Sequence, residues 1–154
     1  MPPAPLIVVD TTVVSETVRP EPDPAVTAWA ASLAGPPLTT AVTVGELLRG
    51  VARLPDGIRR RRLRAAIDVV LAEFDPHQLL PYDVPAAHRF GDLTAAREAA
   101  GRPISVADAQ IAAICLSRGA TLATRNTRDF ELLDLDVVNP WEFLSPDAPT
   151  ADPA

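Results

Sequence analysis

The sequence of 154 residues contains no lysine and a single cysteine, Cys115. Because all 14 basic side chains are arginine, the sequence excludes mechanisms that need a lysine base, a lysine Schiff base or the lysine of a phosphate-binding loop. A lone cysteine cannot form a disulfide within the chain. We therefore do not expect a small secreted fold that is held together by disulfides.

Long hydrophobic runs are also absent. The uninterrupted apolar stretches are short, such as 6–9 and 111–116, whereas a membrane-spanning helix needs about 20 apolar residues. The first five residues include three prolines and lack the basic start and apolar stretch of a signal peptide. We therefore expect a cytoplasmic protein with no membrane segment.

Acidic side chains outnumber basic ones by 20 to 14, which gives a formal net charge of −6. This balance argues against a protein that coats nucleic acid without specificity, but it leaves open a local binding site. The length and the hydrophobic content of 47% predict one globular domain, which we place at 1–144. The remaining residues, 145–154, are rich in Pro, Ala, Asp and Thr and predict a disordered tail.

Apolar runs typical of buried strands alternate with segments typical of helices. The predicted strands are 6–9, 38–42, 78–80, 121–124 and 137–138. One predicted helix begins at Asp23-Pro24, and the others cover 44–53, 58–75, 83–100 and 104–118. Most of the 17 prolines lie between these segments or near the termini. The alternation predicts an α/β fold in which a central parallel sheet is flanked by helices in three layers.

Three carboxylates occupy positions where a parallel sheet binds ligands. Asp10 directly follows the first predicted strand, although an aspartate there also suits a turn or a helix cap. Glu46 and Asp108 each end a capping-box pattern, at 43–46 and 105–108, so capping alone accounts for each of them singly. Their shared placement at strand ends and helix starts predicts that all three meet at one edge of the sheet.

Clustered carboxylates repel one another, so a protein keeps them together when a cation neutralises them. Oxygen ligands favour a hard ion, Mg²⁺ or Mn²⁺, and the sequence has no Cys/His pair at zinc spacing. Carboxylate-bound ions of this kind activate water and stabilise the leaving oxygen in phosphodiester cleavage. The three residues therefore predict a metal-dependent hydrolase site.

Four segments together resemble the motifs of PIN-domain ribonucleases, and in particular the VapC toxins of type II (VapBC) toxin–antitoxin modules. They are 8–16, 43–50, 102–113 and 123–130, and the closing segment 138–141 is similar to the same branch. The resemblance runs through nearly the whole predicted domain with the motifs in order.

This resemblance implies a single PIN-like domain that cleaves RNA as the toxin of a toxin–antitoxin pair. It implies an Mg²⁺ or Mn²⁺ cofactor, an RNA substrate, a cognate VapB-type antitoxin and a homodimer. By their place in the motifs, Asp10, Glu46 and Asp108 would be both the catalytic residues and the metal ligands.

Two positions depart from the family pattern. Thr12 stands where many relatives have Asn, which changes the support of the metal site, and Asn126 stands where many have a fourth acidic residue. Asn126 still offers an oxygen ligand. Asp129 either compensates as a further ligand or only caps the turn before Phe130.

Residues next to the acidic motifs are candidates for RNA contact. They are Arg102, Arg125, Arg128, Thr11, Thr12 and Ser15. Arginine binds phosphate with two parallel hydrogen bonds, whereas hydroxyls just after a strand more often satisfy backbone groups. The arginine cluster 59–62 with Arg64 is either a solvated helix face or a phosphate contact.

Two other functions stay open at this point. A haloacid-dehalogenase-type phosphatase also starts with a strand that ends in an aspartate, but its second aspartate would fall at Thr12. The other alternative is a catalytically weakened PIN-like protein that binds or regulates its antitoxin, which the departures at Thr12 and Asn126 favour.

Overall fold

The computed structural model describes residues 1–144, so the predicted tail at 145–154 lies outside the described residues. The strands are β1 (Ile7–Val9), β2 (Thr39–Thr40), β3 (Leu79–Leu80), β4 (Thr121–Ala123) and β5 (Val137–Val138). The helices are α1 (Thr11–Thr17), α2 (Pro24–Ser32), α3 (Ala41–Ala52), α4 (Ile58–Ala72), α5 (Val84–Ala99) and α6 (Val106–Arg118), with short 3₁₀ turns at Pro76–Gln78, Thr127–Phe130 and Pro140–Glu142.

The five strands are parallel and place β1 at the centre of the sheet. β1 pairs with β4 and β4 with β5, while β2 pairs with β3. A parallel bridge between Val8 and Leu38 joins the two groups, with hydrogen bonds of 2.8 Å from Val9 N to Leu38 O and from Leu38 N to Ile7 O. The spatial order is β3-β2-β1-β4-β5, so all the strands end at one edge.

Both faces of this sheet are covered, which confirms the predicted parallel α/β fold. Successive strand residues alternate between two hydrophobic clusters. Val8 and Leu122 pack in the cluster that includes α5 and α6, whereas Val9 and Ala123 pack in the cluster that includes α1, α2, α3 and α4. Within residues 1–144, no helix combines the length and the apolar character needed to cross a bilayer.

Two predictions at the start of α3 are wrong. Strand β2 is shorter than the predicted 38–42, and the helix begins at Ala41 instead of Val44. The reason is that Thr40, and not Thr43, is the N-cap: its hydroxyl accepts a hydrogen bond of 3.0 Å from Thr43 N. The capping box predicted for Thr43 and Glu46 is therefore absent, and Glu46 lies within the helix.

Helix α1 was not predicted, because its sequence is rich in β-branched residues that favour strands. It forms because the Asp10 side chain accepts hydrogen bonds from Thr12 N and Val13 N, which caps the helix directly after β1.

Helix α6 agrees better with its prediction. Ser105 caps it, and Gly119, with a left-handed φ of 62°, ends it.

Candidate active site

Asp10 lies at the carboxyl end of the central strand and is 4% exposed. Its Oδ1 accepts hydrogen bonds from Thr12 N at 2.9 Å, Val13 N at 3.2 Å and the Thr12 hydroxyl. Its Oδ2 accepts from the hydroxyl of Thr124. The role of Asp10 as a helix cap therefore does not exclude a role as a ligand, because capping uses Oδ1 and leaves Oδ2 with one protein donor.

The two threonine hydroxyls fix the orientation of this carboxylate. Thr12 Oγ1 accepts a hydrogen bond from Arg125 N, and Thr124 Oγ1 accepts one from Asn126 N, each at 3.1 Å. Because each hydroxyl already accepts from a backbone N–H, its own proton is available to Asp10. Burial raises the pKa of Asp10 above its usual value, and the hydrogen bonds from Thr12 and Thr124 oppose that shift by favouring the ionised form.

Thr124 is a site residue that the sequence reasoning missed. Val9 of β1 pairs with Ala123 of β4, so the next residue of each strand, Asp10 and Thr124, falls at the same level of the sheet. Thr124 is completely buried. The sequence does contain a signal, because Thr124 is a polar residue at the end of the predicted strand 121–124. The sequence reasoning counted it as part of that strand and not as a site residue.

Glu46 reaches the same edge from α3. It is half-buried, and the hydroxyl of Thr11 donates to its Oε1 at 2.6 Å. Thr11 is the first residue of α1, the helix that Asp10 caps. The short helix therefore connects the two carboxylates, with Asp10 at its N-cap and Glu46 bound to its first residue.

Asp108 is the third residue of α6 and is half-buried. Burial raises its pKa most, and repulsion by Glu46, Asp129 and Asp10 raises it further, while a hydrogen bond with Ser105 opposes the shift. The charge of Asp108 is therefore affected by the charges of the three other acidic residues. Asp129 and Asn126 are exposed on the turn that follows β4.

The donor set fits a hard divalent cation in its chemistry. The ligating atoms are all oxygens, and among residues 1–144 none of the ion pairs includes Asp10, Glu46, Asp108 or Asp129. In the same described part of the chain, no three His, Cys, Asp or Glu side chains are close enough to count as a ready-made ligand set. These carboxylates therefore have the chemistry of a hard-cation site, but residues 1–144 do not hold them as a finished one.

Comparison with known proteins agrees with this geometry. The PIN domain model matches residues 7–135. The VapC ribonuclease Y4jK of Sinorhizobium fredii is 38% identical over 138 residues, which cover 89% of this chain and 99% of that protein. The crystal structure of FitAcB from Neisseria gonorrhoeae superposes with a TM-score of 0.80 at 36% identity, over 90% of this chain and 100% of that chain. The chain belongs to the PIN-domain family, in its VapC toxin branch.

Membership in the PIN-domain family argues against the haloacid-dehalogenase alternative, and the site does so independently. At the position where such a phosphatase carries its second aspartate, Thr12 donates a hydrogen bond to Asp10 and has no carboxylate to act as an acid. The Toxin FitB of Neisseria gonorrhoeae, 35% identical over 88% of this chain and 99% of that protein, supports the same branch.

The arginines proposed for RNA contact differ in their surroundings. Arg102 is exposed and forms an ion pair of 3.1 Å with Glu131, and Arg128 is exposed on the turn that contains Asp129. Arg125 is exposed, and its guanidinium carbon lies 5.1 Å from the centre of the Trp141 ring. Their contact with RNA stays a prediction.

The other predicted contacts lie on a cleft and on a helix surface. Thr11, Ser15 and Glu46 line a cleft of about 440 Å³ between α1, α3 and α4. In the arginine cluster of α4, Arg60 pairs with Asp56 at 2.7 Å and Arg64 with Asp68 at 3.1 Å. These pairs are typical of a solvated helix face.

Arg97 is a second residue that the sequence reasoning missed. This arginine of α5 is 4% exposed. Its Nε donates to Arg102 O at 2.6 Å, and its Nη1 donates to the carbonyls of Asp129 and Glu131 at 2.8 Å each. One guanidinium thus joins the segment before α6 to the turn after β4. No sequence signal distinguishes this arginine from the exposed ones.

Proposed function

We propose that this chain is a metal-dependent endoribonuclease that acts as the toxin of a toxin–antitoxin pair. The observation that carries the proposal is the carboxyl edge of the parallel sheet, where Asp10 is buried and hydrogen-bonded and where Glu46 and Asp10 repel the charge of Asp108. The relatives named VapC ribonuclease and Toxin FitB support the assignment.

Asp10, Glu46 and Asp108 would hold the cation, with Asn126 and Asp129 as further oxygen ligands. A bound Mg²⁺ or Mn²⁺ supplies positive charge and an acidified water for phosphodiester hydrolysis. Thr12 and Thr124 orient the carboxylate of Asp10, and their hydrogen bonds oppose the rise that burial causes in its pKa. Thr11 holds Glu46, which completes the ligand set or orients the attacking water.

Water that attacks phosphorus with cleavage of the bond to the 3′ oxygen would leave a 5′-phosphate and a 3′-hydroxyl. The exposed arginines beside the site, Arg102, Arg125 and Arg128, and the hydroxyl of Ser15 would bind the strand next to the cleaved bond. The hydroxyls of Thr11 and Thr12 donate to Glu46 and Asp10 and would hold those carboxylates instead. The local positive charge of these arginines lets an acidic protein bind RNA at one place.

A VapB-type antitoxin is the partner that the relatives suggest. One solved neighbour is FitAB bound to a DNA fragment, at 34% identity, and another is VapBC from Salmonella typhimurium bound to DNA, which carries the likeness of fold alone. We further propose that the chain forms a homodimer, which light scattering of the toxin alone and with its antitoxin tests.

The deciding experiment is cleavage of RNA by the wild type and by Asp10→Asn in Mg²⁺ or Mn²⁺. We expect the variant to lose at least about a thousandfold in kcat, because an amide keeps the shape but removes the charge that holds the cation. Asp92→Asn, an exposed change on α5, is the matched control and should cleave as the wild type does. Full activity of Asp10→Asn, or of the wild type in EDTA, contradicts the proposal.

One observation favours a second function. Asn126 replaces an acidic residue and is exposed, which weakens the negative charge on that side of the site. In a binding protein without activity, the antitoxin would bind but the cation would not. Calorimetry separates the two functions, since Mn²⁺ binding that disappears in Asp10→Asn supports the nuclease.

A further inference from the structure

Arg125 joins the buried carboxylate to an aromatic ring on the surface. It directly follows Thr124, and its backbone N–H donates to the same Thr12 hydroxyl that donates to Asp10. Its guanidinium lies over the Trp141 ring, 5.1 Å from the centroid. The side chain is exposed, and within residues 1–144 it forms no ion pair.

Trp141 is held in place by the body of the protein. It follows β5, the neighbour of β4, and its backbone N–H donates to Asn139 Oδ1 at 3.0 Å at the start of a 3₁₀ turn. The ring is half-buried and packs against the hydrophobic cluster that contains Trp29. Arg125 therefore lies on a fixed surface, and its position is set from two adjacent strands.

A guanidinium that lies on an aromatic ring presents its other face to solvent. Unpaired RNA bases stack on arginine planes and on aromatic rings, and every base has a π-face. The Trp141 ring holds the guanidinium plane in place, which lowers the cost of ordering it when a base arrives. We propose that Arg125 and Trp141 form a stacking platform for an unpaired RNA base beside the bond cleaved at Asp10.

The inference rests on the proposed ribonuclease function and adds a subsite to it. It differs from the prediction that Arg125 contacts only a phosphate, because a phosphate contact does not depend on the presence of one base. Arg125→Lys keeps the charge and loses the plane, and only a platform makes the effect of this substitution overlap with the effect of removing a base. Position 125 is exposed, so this substitution does not disturb the core.

The test uses a random-sequence RNA pool from which the wild type, in Mn²⁺, identifies one well-cleaved RNA. That RNA is then synthesised with a single abasic ribose at each position near the cleaved bond. We expect removal of one base to lower the wild-type kcat/KM by about tenfold. Arg125→Lys should lose about tenfold on the intact RNA and show no further loss when that base is removed.

Two variants make the experiment specific. Arg89→Lys, at an exposed arginine of α5, should retain the wild-type rate and the wild-type dependence on the base. Trp141→Phe keeps a ring and should retain the base dependence, while its melting temperature reports any loss of packing. Arg125→Lys that still depends on the base as the wild type does overturns the platform.

Failure of the platform is distinguishable from failure of the proposed function. If the wild type cleaves RNA, Asp10→Asn does not, and Arg125→Lys matches the wild type on every RNA, only the platform is overturned. If the wild type cleaves no member of the pool, both are overturned. If removal of the base and Arg125→Lys together lower kcat/KM no more than either change alone, the result supports both the platform and the proposed function.

Discussion

The acidic site has a strand side and a helix side, and the two are built differently. On the strand side, Asp10 is buried and its carboxylate accepts four hydrogen bonds from Thr12, Val13 and Thr124. On the helix side, Glu46 and Asp108 are half-buried, and the carboxylate of Glu46 accepts one hydrogen bond, from Thr11. The strand side is thus fixed by direct bonds to its carboxylate.

The helix side depends on distant support and retains its repulsion. Arg97 holds the segments that flank Asp108 and Asp129 by binding backbone carbonyls, and it touches neither carboxylate. Repulsion by Glu46, Asp129 and Asp10 raises the pKa of Asp108 in addition to the effect of burial. The protein thus orients Asp10 with hydrogen bonds and leaves the repulsion around Asp108 uncompensated, which is where the proposed cation would act.

The largest expected effect is on stability, from Arg97→Met. The change removes a buried guanidinium from three carbonyls in two loops, and we expect a loss of about 3 kcal/mol in the free energy of unfolding. Urea denaturation measures this loss. RNA cleavage should also fall, because the turn that carries Asp129 and Asn126 loses its anchor.

Arg89→Met is the matched control for Arg97→Met, since Arg89 is an exposed arginine on the same helix. We expect it to change stability by less than about 0.5 kcal/mol. Equal stability of the two variants would show that Arg97 does not support the helix side.

The second prediction concerns Thr124→Val, which removes a hydroxyl from the strand side without changing its shape. RNA cleavage should fall about 10- to 100-fold, because Asp10 loses the donor that orients Oδ2. Stability should fall by about 2 kcal/mol, since Asn126 N also loses its acceptor. Kinetics and urea denaturation are measured on the same preparation.

Thr39→Val separates orientation from stability. Thr39 is also completely buried, but its hydroxyl donates to Val9 O at 2.8 Å instead of to a carboxylate. It should lose comparable stability and keep its rate. If both threonine variants lose activity in proportion to stability, Thr124 has no orienting role.

The sequence predicted the framework of the site better than its supports. The order of strands and helices, the parallel sheet and the placement of Asp10 after β1 follow from hydrophobic patterning and from residues that start and stop helices. The placement of Glu46 and Asp108 near predicted helix starts assigned them to the same edge, and the family resemblance added their role as ligands, which stays a prediction. Repulsion by Asp10 and Glu46 contributes to the raised pKa of Asp108.

The supports arise from contacts between residues that are far apart in the chain. Thr124 meets Asp10 across 114 positions because β1 and β4 are paired, and Arg97 meets Glu131 across 34 positions. Local patterns carry no information on such pairs. The start of α3 was missed for a different reason, because Thr40 and Thr43 both suit an N-cap and only the packed structure decides between them.

The third prediction tests the repulsion on the helix side with Asp108→Asn. The folded pKa of Asp108 is raised above its usual 3.8, so its contribution to stability is present below that value and is lost as the pH rises through the folded pKa. In EDTA at neutral pH, the variant should therefore be more stable than the wild type, by less than about 1 kcal/mol for a half-exposed group.

Thermal denaturation across pH checks this sign. The advantage of Asp108→Asn should shrink as the pH falls through the folded pKa and disappear below 3.8, where the wild-type carboxyl is protonated in both states. Added Mn²⁺ should raise the melting temperature of the wild type more than that of the variant. A variant that is less stable at neutral pH would show that repulsion does not dominate on this side.

The smallest expected effect concerns Leu132, in the loop that Arg97 holds. Among the non-glycine residues of 1–144, it alone has a positive φ, of 63°, and its side chain is 60% exposed. Asparagine adopts this left-handed conformation more readily than leucine, so Leu132→Asn should raise the free energy of unfolding by about 0.5 kcal/mol. Leu132→Ala removes the exposed side chain but keeps the backbone cost, and it should give no such gain. If both variants gain the same free energy of unfolding, the gain comes from removing the exposed leucine side chain. Backbone strain at Leu132 would then make no contribution to the stability of this loop.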